Sequence, residues 1–197
     1  MSDIRTEIYR YFQQREELFP GDFIAKPDKT IPNFQPDVKN TNKTNEHLIL
    51  NSGNPLSKIL FVCTRPLKAD IEAAELLSGE PGALFDKILK AIDLSRKDVY
   101  ITPLYHVSKE GKLSKTPDID TFEKIVKERK PALIISLGEN SGNTLMKERY
   151  KLTDVHGKIF KYGQINLIYT YHPFQILENS SLKRPVWEDF KIIKSLI

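Results

Sequence analysis

The chain has 197 residues, 40% of them hydrophobic, enough apolar material for one substantial core and too little length for two ordinary domains. With 30 Lys and Arg against 26 Asp and Glu the net charge is +4, which suits an anionic partner but is common among proteins that have none. No stretch reaches the roughly 18 consecutive apolar residues of a membrane span, the N-terminus MSDIRTEIYRYFQQ is too charged for a secretory signal, and the single Cys63 excludes an intrachain disulfide, a zinc knuckle and a cluster held by several thiolates. The expectation is one domain, residues 1–197, soluble, cytoplasmic and monomeric, with no metal, no cofactor and no membrane contact.

Residues 3–18 place Ile4, Ile8, Tyr11, Phe12 and Leu18 at helical spacing among charges, which predicts an amphipathic helix ending before Pro20-Gly21. Residues 20–57 carry five prolines and few periodic apolar positions, so a loop wrapped on the domain is expected ahead of a core at 58–197. From Lys58 short apolar runs alternate with helical patterns: strands at Ile59 to Val62, Val99 to Ile101, Leu133 to Leu137 and Ile165 to Tyr169, and helices near 82–92, 118–129, 139–147 and 185–196. Thr116-Pro117 and Arg184-Pro185 fit helix starts, where proline is tolerated. Nearly uninterrupted apolar strands are expected when helices cover both faces, so the predicted architecture is a three-layer α/β/α sandwich around a central four-stranded parallel sheet. Ligands of such sheets sit beyond the carboxyl ends of the strands, which puts Cys63-Thr64, Thr102-Pro103, Gly138-Glu139 and Thr170-Tyr171-His172 on one rim.

Residues 170–190, TYHPFQILENSSLKRPVWEDF, closely resemble a segment of bacterial and archaeal (family 4) uracil-DNA glycosylases that reads like TYHPAYLLRNPALKRPVWEDL. LNSGNPLSKILFVC at 50–63 is similar to the family's turn-then-strand passage, VYIT at 99–102 matches as well, and PALIISLG at 131–138 resembles PKVIVALG. The resemblance covers roughly residues 50–197 in the expected order. The first motif departs from it. Pro66, Gly79, Gly82, Leu84 and Asp86 agree, but Thr64 stands where the family has glutamate and Leu77 where a phenylalanine stacks on uracil. Pro103 occupies the place of an asparagine that reads the Watson–Crick edge, and the four cluster cysteines are missing, so the resemblance implies a divergent, cluster-free member.

Hydrolysing an N-glycosidic bond in DNA requires a flipped nucleotide, a water aligned on the sugar carbon and stabilisation of the departing base anion. The resemblance implies that His172 stabilises that anion and that Asp70, in register with a family acid, positions or deprotonates the water; KADIEAAEL reads equally well as an amphipathic helix with its acids in solvent. Thr64 can hold a water through its hydroxyl, and with Arg65, Pro66 and Pro103 it falls on the substrate side of the motif. Leu77 and Tyr105 are candidate walls of a base pocket, their plainer reading being core. For DNA contact the candidates are Ile176 and Leu177 as an apolar wedge, Ser181, Lys183 and Arg184 as phosphate grips, and Gly138, Asn140 and Ser141 at a helix start. Two readings stay open: a repair glycosylase with uracil as the first guess for its base, or a catalytically inactive superfamily member that binds DNA. A nucleotide-binding α/β protein would need a phosphate loop of spaced glycines, which the chain lacks.

Overall fold

The computed structural model describes residues 47–48, 50–108 and 113–197, which belong to one compact unit, Asp37–Ile197. The helix expected at 3–18 and the first part of the loop at 20–57 lie outside the described residues. Strand β1 (His47–Leu48) pairs antiparallel with β5 (Val107–Ser108) as a separate two-stranded piece. The main sheet contains β2 (Ser52–Gly53), β3 (Ile59–Cys63), β4 (Tyr100–Pro103), β6 (Leu133–Leu137), β7 (Ile159–Tyr162) and β8 (Ile165–Thr170) in the order β2-β4-β3-β6-β8-β7.

The predicted four-stranded parallel sheet is therefore corrected to a six-stranded mixed one. Its inner strands β4, β3, β6 and β8 are parallel, as the apolar runs required, while β2 and β7 add antiparallel edges. Strands β3 and β6 are buried at every position, and that continuous burial keeps their sequences apolar except at Ser136, whose hydroxyl donates to the Gly138 carbonyl at 2.9 Å. Edge strand β7 alternates exposed and half-buried residues, and it reaches β8 through the two-residue turn Gly163-Gln164, with Gly163 at φ +59°. An edge strand with one covered face leaves a far weaker mark in a sequence than a buried one.

The connecting helices are α1 (Lys68–Ala73), α2 (Gly79–Ala91), α3 (Ile119–Arg129), α4 (Glu139–Met146), α5 (Leu152–Val155), α6 (Pro173–Glu178) and α7 (Lys183–Ser195). Asp118 caps α3 by accepting the Thr121 N–H, and α7 begins two residues before Pro185, which then occupies its first turn. Phe61 of β3 meets Phe85 of α2 edge-on at 5.0 Å and stacks with Phe190 of α7 at 6.2 Å, so one ring joins three elements. Helix α4 packs on β8 at Gly142, where a Cβ would lie 2.0 Å from Cε1 of the fully buried Tyr169. Among the described residues no helix is long and apolar enough to cross a membrane.

Register decides where chemistry can occur. Cys63 pairs with both Pro103 and Leu137, and Leu137 pairs with Thr170, so the four parallel strands end in one row. The chain runs from β3 to β4 on one side and then to β6 on the other, which opens a crevice at the ends of β3 and β6.

Candidate active site

A cleft of about 1370 Å³ lies beyond that row. Thr64 and Arg65 line it from the loop after β3, Tyr105 from the loop after β4, Gly138 and Asn140 from the start of α4, and His172 from the loop after β8. The loops at 64 and 172 thus face a common cavity, the arrangement on which the functional expectation rested.

Its walls are pinned by hydrogen bonds. The Tyr105 N–H donates to the Thr64 carbonyl at 2.9 Å, and the Gly138 N–H donates to the Thr170 carbonyl at 2.7 Å. Behind Tyr105, the buried His106 approaches Asp118 with Nδ1 at 3.2 Å from Oδ2. Burial alone would raise the Asp118 carboxyl, but hydrogen bonds from Thr121 and the nearby His106 and Lys124 hold it below the usual range. Behind His172, the Thr170 hydroxyl donates to Asp189 Oδ2 at 2.7 Å, and His156 Nδ1 lies 2.8 Å from Asp189 Oδ1. The end of β8 is therefore tied to α7.

His172 caps α6, and its Nδ1 accepts the Phe174 N–H at 3.2 Å. A neutral imidazole with its acceptor at Nδ1 carries its proton on Nε2, so the remaining nitrogen is a donor. Burial lowers the ring pKa to about 4 against the upward pull of the Asp70 carboxylate, which keeps it neutral at pH 7. Gly138, at φ +95°, places the β6–α4 turn beside it; a Cβ there would sit 3.7 Å from Gln175 Oε1 and 3.9 Å from His172 Cβ, so glycine is required for its backbone angle and not for space.

Asp70 is 2% exposed and does not border the cleft. One carboxylate oxygen accepts the Leu67 N–H at 2.8 Å, and the other accepts the Ser78 N–H at 2.8 Å and the Ser78 hydroxyl at 3.1 Å. These bonds clamp the loop carrying Thr64 and Arg65 to the start of α2.

Residues 50–191 match the family model of the uracil DNA glycosylase superfamily. The chain belongs to that superfamily. It is 26% identical over 167 residues to the type-4 uracil-DNA glycosylase of Archaeoglobus fulgidus, covering 78% of this chain and 84% of the relative. To the type-4 enzyme of Sulfurisphaera tokodaii it is 30% identical over 161 residues, 73% of this chain and 72% of that one. A solved structure, wild-type SMUG2 of Pedobacter heparinus, aligns with TM-score 0.39 and 15% identity over 69% of this chain and 73% of the other.

In this superfamily member the cleft gathers part of the predicted set and leaves the rest elsewhere. Thr64, Arg65, Tyr105, Gly138, Asn140 and His172 converge. Pro66 and Pro103 are buried and do not line the cleft. Leu77, expected as a pocket wall, is a 1% exposed core residue at φ +53° whose carbonyl accepts from Arg96. Ser141 is fully buried and donates within its own turn, to the Leu137 carbonyl at 3.1 Å, so it has no free hydroxyl for a phosphate. Of the expected wedge pair, Ile176 is buried, whereas Leu177 and the neighbouring Phe174 are 43% and 40% exposed. Ser181, in the short turn before α7, and Lys183 and Arg184 at the start of α7 are exposed and lie outside the cleft.

Sequence reasoning missed Lys115, Arg149, Lys151 and Gln175, all of which line the cleft. The alternating cations in KERYK at 147–151 were a visible signal, but nothing local says that this segment returns to the ends of the strands. A four-thiolate cluster does not fit the residues present: Cys63 is the one cysteine, it is 1% exposed within β3, and burial together with the Asp70 charge pushes its thiol far up. Among the described residues no group of three or more His, Cys, Asp or Glu side chains could hold a metal ion.

Proposed function

We propose that this protein is a DNA glycosylase of three-layer α/β/α architecture that hydrolyses the N-glycosidic bond of a flipped damaged base, with uracil as the first substrate to test. The observation carrying this reading is the neutral His172, whose Nδ1 is committed to the Phe174 N–H and whose Nε2–H is left to donate in the cleft. The C1′–N bond breaks and its electron pair leaves with the base, placing negative charge on a carbonyl oxygen where Nε2–H donates. Water forms the new bond to C1′ and releases its proton to solvent. Thr64 can hold that water through its hydroxyl, while Asp70, with both oxygens occupied, serves as the anchor of the Thr64 loop.

DNA is the partner in this reading. Arg65, Lys115, Arg149 and Lys151 line the cleft together with the carboxylates Glu139 and Glu148, and Glu139 Oε2 is taken by the Leu152 N–H at 2.7 Å. That leaves a cationic excess to meet phosphates next to the flipped nucleotide. Lys183 and Arg184 extend the grip beyond the cleft, and exposed Leu177 and Phe174 are the apolar groups available to fill the vacated stack.

The test is a panel of single- and double-stranded oligonucleotides carrying uracil, hypoxanthine, xanthine or alkylated bases, read as abasic product. His172→Ala should slow cleavage by about 10² to 10³-fold, the usual cost of losing one donor to a developing anion. Equal cleavage by this variant and the wild type removes His172 from the mechanism. Salt-sensitive binding with no product from the wild type favours the inactive DNA-binding reading instead.

A further inference from the structure

Gln175 and His172 lock one another across the first turn of α6. Gln175 Oε1 accepts the His172 backbone N–H at 2.9 Å, and the Gln175 backbone N–H donates to the His172 carbonyl at 2.8 Å. The first bond fixes the carboxamide, because only its oxygen can face an N–H donor; the NH2 group therefore points elsewhere. It has no partner among the described residues, and Gln175 borders the same cleft as His172. Both side chains also flank the β6–α4 turn, within 4 Å of the point where a Gly138 Cβ would stand. An amide donor with a fixed orientation and no acceptor among the described residues is thus held one helical turn from His172, on the same cleft.

We propose that the Gln175 carboxamide is a second N–H donor to the carbonyl oxygen of the departing base. The inference rests on the glycosylase reading above. A carbonyl oxygen has two lone pairs, and a base anion gathers charge there as the glycosidic bond lengthens, so a second donor gains strength in the transition state as His172 does. The substrate class it favours is a base with a carbonyl next to its glycosidic nitrogen, the oxo-pyrimidines, over purines that carry none at that position.

Gln175→Glu tests this directly. The carboxylate keeps an acceptor for the His172 N–H, so the cap survives, but the donor becomes an oxygen with negative charge. Two readouts are taken on uracil-containing oligonucleotides: the single-turnover rate, and the affinity for an uncleavable 2′-fluoro-2′-deoxyuridine strand relative to unmodified DNA. The proposal expects an unchanged melting temperature, a rate lower by about 10²-fold and an analogue affinity at least about fivefold weaker. A variant that stays within threefold of wild type in both readouts, about 0.6 kcal/mol, overturns it. A wild type that excises no base defeats the glycosylase reading and this inference with it, whereas a cleaving wild type matched by Gln175→Glu in both readouts defeats the inference alone.

Discussion

Replacing Asp70 by Asn separates a structural anchor from a catalytic base. The carboxylate accepts backbone N–H groups on both oxygens, Leu67 on one and Ser78 on the other, each at 2.8 Å. An amide has one acceptor. If its oxygen stays with Ser78, its NH2 is driven against the Leu67 N–H, and turning it over only moves the conflict to Ser78. One hydrogen bond to a charged acceptor is lost, worth about 1.5–3 kcal/mol, and a sheltered N–H is left without a partner, while the neutral amide recovers part of the cost through cheaper burial. The net loss is about 2–3 kcal/mol, or about 5–10 °C in melting temperature for a chain of this size. Differential scanning calorimetry measures the shift. Well below the transition, single-turnover activity should fall less than about tenfold, since the loop bearing Thr64 loosens but no reacting group is removed. A general base would behave in the opposite way, with melting unchanged and activity lower by about 10² to 10⁴-fold. That second pattern would refute the anchor role.

Three further outcomes follow from the geometry. His172 has its pKa lowered to about 4 by burial, below the value near 6.5 of an unfolded histidine. The unfolded chain thus binds the extra proton first, and the stability held by neutral His172 is complete above about pH 6.5 and lost as pH falls through about 4; an NMR titration midpoint of the ring at or above 6 would contradict its burial. Gly142→Ala brings a Cβ to 2.0 Å from Tyr169 Cε1 in a fully buried contact, so despite alanine's better helix propensity stability should drop by about 1–3 kcal/mol in thermal melts, and a rise would sink the packing account. Arg149→Ala and Lys151→Ala should each flatten the slope of log K against log salt by about 0.7–0.9 if they meet phosphates, and unchanged slopes would place the DNA elsewhere.

The sequence determined most of the inner sheet and little of its edges. Ile59 to Val62, Leu133 to Leu137 and Ile165 to Tyr169 were legible because strands covered on both faces must be apolar at nearly every position, and helices α2, α3, α4 and α7 followed from helical patterning, although α3 starts after its cap Asp118 and not at Thr116-Pro117. His172 was legible because it sits in a long motif that resembles a known family. Strands β2 and β7 were not, since two residues or a half-exposed edge carry almost no pattern. Tertiary structure alone decided which residues share the cleft. Asp70 and Leu77 lie within the first motif, yet the folded chain turns one into a clamp and the other into core. Arg149 and Lys151 join His172 because strand register and the path of α4 and α5 bring a distant segment to one rim, while Gln175 stands one helical turn from His172 and is aimed by the bond it accepts from the His172 N–H. Composition and spacing record whether a side chain is buried, but the direction of its polar atoms is fixed only once the backbone donors and acceptors around it are in place.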